Sequence, residues 1–192
     1  MSMTGNNGLK ERRTMRKITI AILVVLTFTV SSAQTKKTFD KFKNITNFMT
    51  AESETSKVTF DGGKDASPLI RRMGMVIGFT CDGQVDSCAP NMVELLFIGY
   101  TSDWTMKGGN TVTLLIDGKP VTAGKAGWDG QVLDADDLVE YNDVTIGPEL
   151  LKKMASAKAV DVQLGLFEFS LTDANLASIR EIASHAGWMP AS

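Results

Sequence analysis

Two strongly apolar strands, separated by the only two cysteines, constrain this chain more than any other feature in it. Residues 73–80 and 92–100 each read as a β-strand, and Cys81 and Cys88 open and close the loop between them. In the first strand Met73, Met75, Ile77 and Phe79 share one face and Gly74, Val76 and Gly78 the other. One side is therefore filled, and the other lets a neighbouring element come close. In the second, Val93, Leu95 and Phe97 oppose Met92, Leu96 and Ile98, and only Glu94 interrupts an apolar run on both faces. That is the pattern of a central strand buried on two sides. The thioethers of Met73 and Met75 would suit copper(I), but Ile77 and Phe79 continue the same face, so core packing accounts for them.

What the cysteines do depends on where the chain resides. Lys10, Arg12, Arg13, Arg16 and Lys17 precede an unbroken stretch of apolar residues and threonines at 18–30, and Ser31-Ser32-Ala33 then offers the small residues a signal peptidase inspects. Residues 1–33 read as a secretory signal cleaved after Ala33, leaving 34–192 as a single exported globular domain. As a helix the apolar stretch would reach roughly 20 Å against a hydrocarbon core of about 30 Å, so no stable membrane span is expected after cleavage. A retained signal-anchor is the alternative. In an oxidising compartment, secreted or periplasmic, Cys81 and Cys88 form a disulfide. Closing that short loop contributes about 2.5 kcal/mol in the chain-entropy model. A redox pair would call for a C-x-x-C spacing, which these cysteines lack.

Removing the signal changes the charge. The whole chain has 20 basic and 22 acidic residues, and residues 34–192 keep 15 and 21 of them. An acidic mature chain argues against nucleic acid and against anionic membrane surfaces as partners. A hydrophobic content of 43 % argues equally against disorder of the whole chain.

The remaining elements follow in order. Residues 38–49 suit a helix, through Phe39, Phe42, Ile45 and Met49, and suit strands equally well through their threonines. Residues 57–60 form a short strand. Residues 111–116 and 119–122 flank Asp117-Gly118, the strongest local hairpin signal in the chain, and Pro120 assigns the returning strand to an edge or a bulge. Residues 144–146 are a short strand, and Pro148 begins a short helix. Residues 160–164 alternate as a half-buried strand, then the apolar phase shifts past Gly165, which predicts a bulge or a very tight turn. Thr172 caps an amphipathic helix whose face is Leu176, Ile179, Ile182 and Ala183, and Gly187 stops it. The order predicts an α+β fold, mostly antiparallel β-sheet, sandwich-like or curled, with a C-terminal amphipathic helix and one short helix.

Few residues invite chemistry. Asp134, Asp136, Asp137 and Glu140 could supply oxygen ligands to calcium, but the calcium-loop pattern is absent, and carboxylates this close in sequence commonly flank the start of a short helix. The sole histidine, His185, falls in the last helical turn, where a cation gains from the dipole. No G-x-S-x-G elbow accompanies it. No cofactor is expected. Trp104 and Trp128 stand in polar, glycine-rich segments and are the candidates for an exposed interaction surface. The reading is an exported, non-enzymatic binding domain whose partner is a protein, an envelope component or a small ligand. Two alternatives remain: a structural homo-oligomer, or a glycosidase-like hydrolase pairing Glu94 or Glu168 with the 134–140 carboxylates.

Intact mass of the secreted protein checks this address. The expected species begins at Gln34 and gains the mass of two hydrogens on reduction; free thiols without reductant would remove the staple.

Overall fold

The computed structural model describes residues 35–134 and 137–188, and the proposed signal at 1–33 lies outside them. The fold is mostly antiparallel β, with half the chain in strands, a curled half-barrel sheet and two helices. The larger sheet has seven strands. It contains β1 (Lys36–Asp40), β2 (Ile45–Met49), the two-residue β3 (Ser53–Glu54), β6 (Ile70–Asp82), β7 (Val93–Thr101), β10 (Asp129–Asp134) and β11 (Asp137–Ile146). Their order is β1-β2-β6-β7-β11-β10, with β3 paired to β6. The smaller, six-stranded sheet holds β4 (Thr59–Phe60), β5 (Lys64–Asp65), β8 (Thr111–Ile116), β9 (Lys119–Lys125), β12 (Val160–Leu164) and β13 (Phe167–Ser170), in the order β5-β4-β13-β12-β8-β9.

The apolar hairpin is the centre of the larger sheet. β6 and β7 pair from Arg72 with Tyr100 to Gly78 with Glu94, and β11 covers the far side of β7, so β7 is interior as its two apolar faces require. Met73, Met75, Ile77, Val93, Leu95 and Phe97 are all buried in the main core. Phe97 meets Phe169 of the smaller sheet edge to face, with ring centres 5.4 Å apart, so the sheets share this core. On the other face Gly78 does what a strand glycine permits, because a Cβ there would stand 2.6 Å from the Phe48 carbonyl oxygen of β2.

The disulfide between Cys81 and Cys88 is formed. Its place differs in detail from a bridge across the hairpin mouth. β6 runs on through Asp82, and its last residues pair with β2, so the bridge ties the connecting loop back to the β2–β6 side of the sheet.

Two helices complete the core. α1 (Pro148–Ser156) starts on Pro148, and α2 (Asp173–His185) carries a capping box in which Asn175 N–H donates to Thr172 Oγ1 and Thr172 N–H donates to Asn175 Oδ1. Leu176, Ile179, Ile182 and Ala183 are buried, as the stripe requires. Arg180 of α2 donates to the Ala155 and Ala157 carbonyls at the end of α1, 3.0 Å each, satisfying groups that a helix terminus leaves open. His185 stacks beside Phe48 at 5.6 Å between ring centres.

The turns behave as their residues dictate. Asp117 and Gly118 both take positive φ, 47° and 78°, and Pro120 lies on β9 at the edge of the smaller sheet. Gly165, at φ 61°, makes the tight turn between β12 and β13.

Residues 38–49 are strands, with no helix among them. Phe42, 90 % exposed, belongs to the β1–β2 turn, and Thr46 and Phe48 point inward in alternation. The strand expected at 144–146 is the end of the ten-residue β11. Of the carboxylates expected to flank a helix start, Asp134 ends β10 and Asp137 and Glu140 stand on β11, while Asp136 lies outside the described residues.

On the outer face, Glu52 accepts from Arg72 Nη1 at 3.0 Å and from the Tyr100 hydroxyl at 2.9 Å, while the Arg72 guanidinium lies 3.5 Å from the Tyr100 ring centre. Desolvation first, and the hydrogen bond to Glu52 next, push the Tyr100 phenol above its ordinary value. The folded state therefore holds this proton more tightly than the unfolded chain. The associated stability is complete below about pH 10 and is lost as pH rises past the folded value. In a Tyr141→Phe background, where Tyr100 is the sole phenol, Glu52→Gln is expected to lower the alkaline ultraviolet titration midpoint; an unmoved midpoint would disconnect Glu52 from it.

Candidate functional site

The structure brings Trp104, Trp128 and Glu140 together. Glu140 stands on β11 opposite Gly99 of β7, on the inward face, and is completely buried. A carboxylate there is costly unless its oxygens are satisfied. The connection between β7 and β8 supplies the donors: Thr105 N–H at 2.8 Å, Thr105 Oγ1 at 3.0 Å and Met106 N–H at 3.0 Å. The Trp128 indole N–H donates from the segment between β9 and β10 at 2.8 Å, and the Thr101 hydroxyl adds a longer bond of 3.4 Å. One side chain thus joins a strand to two loops. Met106, drawn in beside it, is fully buried and lies against the bare Cα of Gly99.

The two tryptophans are fixed by this knot. Trp104 meets Trp128 edge to face, with ring centres 5.7 Å apart and planes at 80°. Both rings rest on Gly130 of β10, where an added Cβ would collide with them. Trp128 packs against the core, whereas Trp104 keeps 38 % of its surface exposed. The Lys107 ammonium stands 5.5 Å from the Trp128 ring centre.

The proposed metal ligands are dispersed. Glu140 points inward and is engaged by the loop donors, Asp137 pairs with Arg71, and Asp136 lies outside the described residues. Asp134 ends β10 and has an interaction of its own. Among the described residues, no group of three or more histidine, cysteine or acidic side chains converges to hold a metal ion. Nor do Glu94 and Glu168 approach that segment. Glu94 is exposed opposite Thr145, eight residues along β11 from Asp137, or roughly 26 Å at about 3.3 Å per residue. Glu168 belongs to the smaller sheet and accepts from Gln163. There it borders an open groove of about 570 Å³ whose lining includes Asp161, Leu115 and Pro120, and Asp161 accepts from the Ser170 hydroxyl at 2.6 Å.

Among the described residues, no helix is long and apolar enough to cross a membrane. Comparison with protein-family models, with curated proteins and with solved structures returned no match.

Glu140→Leu removes the acceptor and leaves two backbone N–H groups and one indole N–H to find new partners. The expected loss is at least ~3 kcal/mol in urea unfolding, since each buried unpaired donor costs roughly 1–3 kcal/mol. Tryptophan emission should shift to the red before the global transition. A variant as stable as the parent would show that the knot contributes little.

Proposed function

We propose that this is an exported, non-enzymatic binding domain that engages its partner through the loops carrying Trp104 and Trp128. The observation behind the reading is that a fully buried carboxylate is spent on holding these loops still, while one indole of the pair remains at the surface. A rigid aromatic loses little entropy on binding, which is what a preformed interaction surface needs. The export reading rests on the signal-like residues 1–33 and the disulfide. A hydrolase using paired acids would have to rely on Asp161 and Glu168 in the open groove, and both already have partners there.

Site-specific crosslinking in the native host separates these regions. A photoreactive residue in place of Trp104 is expected to yield discrete envelope or extracellular adducts, and one in place of Leu166, 68 % exposed on the β12–β13 turn, is expected to yield none. Equal adducts from both positions would overturn the reading.

A further inference from the structure

The smaller sheet turns one face to the core, through side chains such as Val162 and Phe169, and the other to solvent. On the outer face Pro120, Leu115, Asp161 and Ser170 form a row across β9, β8, β12 and β13, each the register partner of the next. Gln163 and Glu168, themselves partners on β12 and β13, stand in the adjoining row, which sets Glu168 diagonal to Asp161. All six line the open groove of about 570 Å³.

Several donors in this groove are already engaged. The Ser170 hydroxyl donates to Asp161 Oδ1 at 2.6 Å, the Gln163 amide to Glu168 Oε1 at 3.4 Å, and the Thr59 hydroxyl to the Glu168 carbonyl at 3.3 Å. Lys57, the cation in the lining, stands 2.7 Å from Asp65 Oδ2 and is held by a carboxylate outside the groove. The second oxygens of Asp161 and Glu168 accept no hydrogen bond among the described residues, and neither carboxylate has an ion pair there. As diagonal neighbours on adjacent strands the two side chains have Cβ atoms about 7–8 Å apart, so their charges repel and one cation between them can reach both. On the other side of Asp161 the lining becomes apolar, with Leu115, 38 % exposed, and then Pro120. The groove is therefore anionic over β12 and β13 and apolar over β8 and β9.

We propose that this groove binds a small primary amine with an apolar tail, its ammonium between Asp161 and Glu168 and its tail running across the strands over Leu115 toward Pro120. An ammonium has three donors and no acceptor, which complements the two free carboxylate oxygens. Hydrogen bonds assisted by charge are roughly twice as strong as neutral ones, and the cation also relieves the repulsion between the acids. Neighbouring strands lie about 4.8 Å apart, so from a point between β12 and β13 a tail roughly 7 Å long reaches Leu115 and one of roughly 12 Å reaches Pro120. An anionic ligand of the same length would meet both carboxylates. Neither Trp104 nor Trp128 lines the groove, so this site stands or falls separately from the tryptophan surface.

The probe is hexylammonium chloride at low ionic strength, titrated against the mature protein by saturation-transfer NMR of the ligand, with circular dichroism confirming that each variant is folded. Saturable binding is expected, with the Leu115 methyl signals of the wild-type protein shifting along the same isotherm. Asp161→Asn and Glu168→Gln keep the shape of each side chain and its internal hydrogen bond; each should weaken binding about threefold, and the double variant about tenfold. Leu115→Ser should also weaken it about threefold. Hexanoate is expected not to bind. No saturable binding by the wild-type protein would overturn the proposal, as would equal affinity for hexanoate or wild-type affinity in the double variant. Tighter binding of acetyl-lysine amide than of hexylammonium would assign the groove to a basic side chain of a protein and overturn the small-amine reading.

Discussion

The buried carboxylate of Glu140 is the interaction on which the Trp104–Trp128 side of this protein depends. A carboxylate at a core position is unfavourable unless nearly every lone pair is met. Meeting them forces the β7–β8 connection to fold inward at Thr105 and Met106 and draws the Trp128 indole down from the segment before β10. An apolar residue at 140 would avoid the cost of burying a charge, but it would leave those donors unpaired and without a reason to converge. The carboxylate therefore acts on conformation: it selects one arrangement of two loops that are otherwise polar and rich in glycine.

The opposite end of the larger sheet is held by different means. There the disulfide closes the β6–β7 loop, and Thr46, almost wholly buried, donates to the Gly83 carbonyl and accepts the Val85 N–H. A covalent link suits a segment with little apolar content, whereas hydrogen bonds to one carboxylate suit a segment that must also place two large aromatics. Between the two ends Met73, Met75, Ile77, Val93, Leu95, Phe97, Val144 and Ile146 of β6, β7 and β11 supply the apolar surface of the core shared with both helices and the smaller sheet.

Elements whose burial follows a simple period could be read from the chain. The β6–β7 hairpin, the Asp117-Gly118 turn, the tight turn at Gly165 and the capped α2 all have alternation, positive-φ residues or caps that act locally. β11 and β10 could not be read in this way, for a physical reason. Glu140 and Asn142 occupy inward positions of β11, so polar residues stand where apolar ones would announce a strand, and their hydrogen-bond partners lie far away in sequence. β10 is an exposed edge and has no buried face to impose alternation. The spacing at 38–49 left helix and strand open because Phe42, which completes the helical interval, belongs to a turn. The tryptophans were recognisable from their setting. Glu140 instead resembled one of four surface acids, and only a clue such as its place two residues before Asn142, with an inward partner between two loops, would have marked it apart.

A fixed loop beside an open edge is a coherent pairing. An unprotected strand invites pairing with any extended chain, and lysine or proline along it would blunt that tendency. The tryptophans cover Gly130, the position where a strand is weakest, and so keep β10 extended in the absence of any partner. Because Glu140 holds the Trp128 indole from inside, the cover over Gly130 traces back to a residue that never reaches the surface.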